Sequence, residues 1–95
     1  MGPDVFKIGS HVRSVSKEGR LFILDVNTGK YYSLNRVGIA IWTGLELGRT
    51  KQELILHLLE TFDVPEDKLA ADIDALVTRL SELRLIEKIS SRTSG

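Results

Sequence analysis

Ninety-five residues make one small domain, long enough to bury a single hydrophobic core without staples. With no cysteine, disulfides and thiolate metal sites are excluded and a reducing, cytoplasmic setting is expected; no run nears the roughly 20 apolar residues of a membrane helix, and the start lacks a secretion signal. Thirteen basic and thirteen acidic residues cancel, yet residues 1–52 hold eight Lys/Arg against four Asp/Glu while residues 53–95 hold five against nine, which is either two ordinary solvated faces or a means of orienting a charged partner.

Residues 1–10, with Gly2, Pro3 and Gly9, read as a flexible lead-in. A short strand with weak alternation is expected over residues 11–16, and Lys17-Glu18-Gly19 signals a turn. Residues 20–26 form the clearest strand. Asn27-Thr28-Gly29 supplies a residue tolerant of positive φ where a three-residue hairpin loop needs one, and residues 30–34 return antiparallel. A strand with one packed face alternates apolar and polar residues. Leu21, Phe22, Ile23 and Leu24 run on without a break, so both faces of this sheet carry apolar surface, and Tyr31 and Tyr32 point to opposite faces. The expected cover for the second face is the N-terminal segment; the alternative is another molecule.

Three helices follow. Asn35 suits an N-cap, its side-chain oxygen accepting a backbone N–H, and the helix to about residue 45 is apolar nearly all round (Val37, Ile39, Ala40, Ile41, Trp42, Leu45), hence central. Gly48 can close it in a left-handed conformation. Thr50-Lys51-Gln52-Glu53 is a capping box opening a second helix that buries Leu54, Ile55, Leu58, Leu59 and Phe62. A third helix begins around Pro65 and sets Leu69, Ile73, Leu76, Val77, Leu80 and Leu83 on one stripe. The expected fold class is α+β and winged-helix-like: a three-stranded antiparallel sheet followed by three helices in one domain over residues 11–89, with a disordered tail over residues 90–95.

Motifs for chemistry are missing. His11 and His57 have no metal-ligand spacing and read as surface or capping residues. Gly9-Ser10-His11 lacks the flanks of a nucleophile elbow, and there is no dinucleotide-binding or P-loop pattern. Asp72 and Asp74 lie two apart on a helix and so diverge, Glu66 and Asp67 suit a helix N-terminus, and Gly44-x-x-x-Gly48 means little outside a membrane. No catalysis, cofactor or metal is expected. A winged-helix DNA reader needs a basic recognition helix, whereas the third helix carries Glu66, Asp67, Asp72, Asp74 and Glu82 against Lys68, Arg79 and Arg84; nucleic acid is not the expected partner.

The run LFILDVNTGKYYSLNRVGIAIW resembles PqqD-like domains, the peptide-recognition elements of ribosomal-peptide maturation. The downstream GRTKQELILHLLETFDVPEDKLAADIDALVTRLSELRLI continues that pattern, so the resemblance covers residues 11–86. Its individual motifs are weak; their order and spacing are the specific part. The short free-standing length and the TGKYYSLN strand look like the recognition subunit of split lasso-peptide B proteins, with the PqqD-type peptide chaperone of quinone cofactor biosynthesis as the alternative within the family.

The resemblance implies a non-catalytic adaptor that takes the leader segment of a precursor peptide as an added strand, in a groove between the third strand and the third helix. It presents the leader to a separate leader peptidase and to a cyclase. Carried over by position, Lys30, Tyr31, Tyr32, Ser33 and Leu34 supply the pairing edge, and Asp72, Leu76, Arg79 and Leu83 form the opposite wall. The expected state is a monomer or a weak dimer, and the competing class is a winged-helix DNA-binding protein.

Overall fold

A computed structural model describes residues 4–90. Its elements are β1 (Asp4–Ile8), β2 (Val12–Lys17), β3 (Arg20–Asp25), β4 (Tyr31–Leu34), α1 (Arg36–Glu46), α2 (Lys51–Thr61), α3 (Glu66–Glu82) and β5 (Ile86–Ser90). β2, β3 and β4 form an antiparallel sheet in that order, and the three helices follow it, as expected. Local chemistry explains most boundaries. Between β3 and β4 the buried Asp25 carboxylate accepts the Asn27 and Thr28 amides at 2.9 and 3.3 Å, and Gly29 adopts φ +77°, a left-handed value that costs glycine little. The strands are one residue shorter on each side of this loop than the sequence implied, because the Lys30 amide turns to Thr28 Oγ1.

The helix caps form where the side chains call for them. Asn35 Oδ1 accepts the Gly38 amide at 2.8 Å. Thr50 and Glu53 exchange both bonds of the capping box, each end satisfying donors the helix leaves open. Pro65 stands at the N-cap position of α3 and not inside its first turn. After α1 the chain reverses through Gly48 at φ +77°, with the Arg49 amide returning to the Gly44 carbonyl at 3.0 Å.

The core lies between the inner face of the sheet and the helices. Leu21 and Ile23 of β3 meet Ile41, Trp42 and Leu45 of α1, Leu54 and Leu58 of α2, and Leu69, Ile73 and Leu80 of α3. Of the second-helix residues expected in the core, Leu54, Ile55 and Leu58 are buried, whereas Leu59 and Phe62 are half-buried.

Two expectations are corrected. The lead-in expected over residues 1–10 contains β1, which pairs antiparallel with β5 from the other end of the chain, Val5 opposite Ile89 and Ile8 opposite Ile86. Phe6 and Ile8 pack against the core, which ties β1 to the rest of the domain. Nor does the N-terminal segment cover the second face of the three-stranded sheet: β1 lies against α1 and β5, leaving Val15 56% and Tyr31 69% exposed. Of the tail expected over residues 90–95, Ser90 ends β5 and residues 91–95 lie outside the described residues.

Candidate functional groove

Among the described residues β4 is an edge strand, hydrogen-bonded to β3 alone. In an antiparallel ladder, backbone groups point alternately to the partner strand and away from it. The Lys30 carbonyl accepts the Asp25 amide at 2.9 Å, which makes Lys30 and Asp25 a bonded pair. By alternation Tyr32, opposite Ile23, and Leu34, opposite Leu21, also turn their backbones inward. The amides and carbonyls of Tyr31 and Ser33 therefore face the open edge. Side chains follow the complementary rule: Tyr32 and Leu34 lie on the inner side of the sheet with Ile23 and Leu21, while Tyr31 and Ser33 lie on the outer side.

Beside this edge runs a groove of about 710 Å³. Its floor is Val37, Gly38 and Ile41 of α1. One wall is Tyr32, Ser33 and Leu34 of β4, and the other is one stripe of α3: Lys68, Asp72, Ala75, Leu76, Arg79 and Leu83, with Leu80 beneath. The α3 residues recur at steps of three and four, the interval that stacks side chains along a helix. Ile73 and Leu80 enter the core, whereas Leu76 and Leu83 on the groove flank are half-buried. The wall is apolar in the middle and charged at intervals: Lys68 pairs with Asp72 at 3.6 Å, and Arg79 stands exposed one turn beyond Ala75.

Seven of the nine residues anticipated for the site meet here: Tyr32, Ser33, Leu34, Asp72, Leu76, Arg79 and Leu83. Two do not. The Lys30 amide is taken up by Thr28 Oγ1 at 3.2 Å, so Lys30 belongs to the turn. The Tyr31 side chain points to the opposite face, edge-on to the Phe22 ring at 6.4 Å; only its backbone serves the edge. Asn35, Val37, Gly38, Ile41, Lys68, Ala75 and Leu80 also line the groove. The helical interval back from Asp72 could have revealed Lys68. Nothing in the sequence indicated that the start of α1 would form the floor.

The other sheet edge, β2, has exposed side chains from Arg13 to Lys17, and none of these residues lines the groove beside β4. Neither histidine belongs to the groove: His11 Nε2 bonds the Arg84 carbonyl at 2.9 Å, tying the end of α3 to the turn after β1, and His57 is exposed on α2. No helix among the described residues is long and apolar enough to cross a membrane.

The family model described as coenzyme PQQ synthesis protein D (PqqD) matches residues 20–86. Among solved structures, the chain is similar to TbiB1 in complex with the TbiA(beta) leader peptide: TM-score 0.81, 26% sequence identity, covering 90% of this chain and 99% of that one. It is similar also to lasso peptide synthetase B1 complexed with the leader peptide, with a TM-score of 0.80 at 24% identity, over 86% of this chain and 96% of that one. In the heterocyclase TruD, 97% of this chain matches 12% of a much longer one, with a TM-score of 0.63 and 19% identity. The last two likenesses show the fold alone. No curated protein matches the chain.

Proposed function

The chain belongs to the PqqD family, and from that premise we propose that it is a non-catalytic adaptor for the leader segment of a ribosomally made precursor peptide, of the lasso class. The leader adds to β4 as a further strand and lays alternate side chains into the groove. A separate leader peptidase and a cyclase then act on the peptide so held.

The observation that carries this reading is the coincidence of a free backbone edge with an apolar trough. The outward groups of Tyr31 and Ser33 offer sequence-tolerant hydrogen bonds, and the pockets beside Tyr32, Leu76 and Leu83 select side chains. Ordering a flexible peptide costs about 2–5 kcal/mol, and burial of apolar side chains in the trough offsets it at about 25 cal/mol per Å². Tyr32, Ser33, Asn35, Lys68, Asp72 and Arg79 bring the polar side chains of the lining; Asn35 Oδ1 is committed to the Gly38 amide, and neither histidine nor cysteine is among them, a composition suited to holding and not to cutting. The two solved structures matched at TM-scores of 0.81 and 0.80 both carry leader peptides in their descriptions.

The test is a titration of isotope-labelled protein with its precursor's leader peptide, followed amide by amide. Shifts are expected at Tyr31–Leu34 and along residues 72–83 of α3; silence at both walls overturns the proposal. The family description names coenzyme PQQ synthesis, which favours a second reading in which the guest is the precursor of a quinone cofactor. Offering both precursors in the same titration separates the two.

A further inference from the structure

The three-stranded sheet has a face turned away from the helices and from the groove. The registers place two cross-strand rows on it, Val15–Phe22–Ser33 and Arg13–Leu24–Tyr31. Phe22 and Leu24 are half-buried, while Val15 and Tyr31 are 56% and 69% exposed. Unbroken apolar character in β3 thus ends in an open patch, a feature soluble domains keep small unless something docks there.

The rim of this patch has one sign. Arg13, Lys17 and Arg20 share the face, the last two as a cross-strand pair, and no acidic residue of β2, β3 or β4 stands on it. Glu18 lies beyond them in the turn. The Arg13 guanidinium donates to the Ser10 carbonyl at 2.8 Å, and among the described residues no ion pair engages Lys17 or Arg20.

We infer that this face is a second docking surface, for a folded protein whose contact face is apolar at its centre and acidic at its rim: an enzyme that acts on the peptide held in the groove. The inference rests on the adaptor reading. Charge selects this occupant over the others. A two-fold dimer through the same face would set Arg13, Lys17 and Arg20 against a second face whose strand charges are basic as well, and like charges across an interface repel. Single-stranded nucleic acid needs ring faces open for stacking; here Phe22 and Tyr31 meet edge-on at 76°, and Val15 and Leu24 in the same two rows are aliphatic. Position supports the same choice. Tyr31 lies on this face and Tyr32 in the groove, so an enzyme seated on the patch is one strand's thickness from the guest peptide.

The experiment uses the intact chain with purified leader peptidase and purified cyclase of the same pathway as probes. Val15→Glu and, separately, the pair Lys17→Glu with Arg20→Glu reverse the character of the centre and of the rim at solvent-exposed positions. Affinity of the wild-type chain for at least one enzyme is expected to fall with salt. Both variants should lower that affinity about tenfold or more, with leader affinity kept within about twofold of wild type. Absence of enzyme binding by the wild-type chain, or enzyme binding unmoved in both variants, overturns the inference. So does finding that the variants instead abolish self-association in sedimentation or binding to a single-stranded oligonucleotide. A wild-type chain that fails to bind leader at all strikes the adaptor reading; intact leader binding with unmoved enzyme binding strikes only this face.

Discussion

Tyr31 and Tyr32 are neighbours in the chain and stand on opposite faces of one edge strand. Tyr32 lines the groove, whereas Tyr31 meets the edge of Phe22 on the far face. Their loss should therefore have separable effects. Tyr32→Ala removes a groove wall and is expected to weaken leader binding by about 1–3 kcal/mol, the range for a buried aromatic contact. Tyr31→Ala forfeits the ring pair, about 0.5–1.5 kcal/mol of stability at most, and leaves leader affinity nearly unchanged. Anisotropy titration of a labelled leader, with a thermal melt of each variant, measures both.

Backbone direction yields a second contrast on the same strand. The Ser33 amide faces the open edge, so Ser33→Pro removes a donor that only a guest strand would use; proline is tolerated at such edges. Binding should weaken sharply while the melting temperature holds. Tyr32→Pro deletes a ladder bond to β3 and leaves a buried acceptor unpaired, costing about 1–3 kcal/mol of stability. Equal stability losses in the two variants would contradict the register.

On α3, Leu76 and Leu83 face the groove half-buried, and Ile73 on the neighbouring stripe is 1% exposed. Ile73→Ala should cost about 2–5 kcal/mol of stability. Leu76→Ala and Leu83→Ala should cost less in stability and about 1–2 kcal/mol each in leader affinity, from the apolar area a guest no longer covers. Chemical denaturation and the anisotropy titration, run on all three, check the division.

Gly44 lies where α1 crosses α2, and a Cβ there would collide with Leu54 Cδ2, a side chain 1% exposed. Alanine gains about 1 kcal/mol of helix propensity over glycine, but overpacking a filled core costs about 1–3 kcal/mol. Gly44→Ala is expected to be destabilising on balance by about 1 kcal/mol, a fall of about 4–8 °C in Tm for a domain of this size. Calorimetry reads it directly, and a rise in Tm would show that Leu54 can repack.

Some of the groove was legible in advance because its signals are local. Asn-Thr-Gly between two apolar runs implies a hairpin, Asn35 and Thr50 with Glu53 mark helix starts, and the spacing of Asp72, Leu76, Arg79 and Leu83 puts them on one side of a helix. Lys30 was misplaced because a five-residue connection, closed by the Asp25 carboxylate, ends one residue later than a three-residue loop would. β1 and β5 were missed for a different reason. Neither short segment shows clean alternation, and their pairing joins opposite ends of the chain, so only the shared packing of Phe6, Ile8 and Ile86 on the core makes strands of them.

The covering of the outer sheet face was likewise beyond local reading. Leu21 to Leu24 announce two apolar faces, but which one meets the helices depends on register and on where β1 goes.

Residue order alone determined the hairpin, the three helices with their caps, and the two stripes that could form walls, because turn geometry, capping and helical periodicity act over a few residues. Only the tertiary structure decided that β4 is an edge, that the start of α1 floors the trough, and that Tyr32, not Tyr31, is the tyrosine facing the groove. Those outcomes depend on which distant surfaces bury one another, a choice no short window of sequence contains.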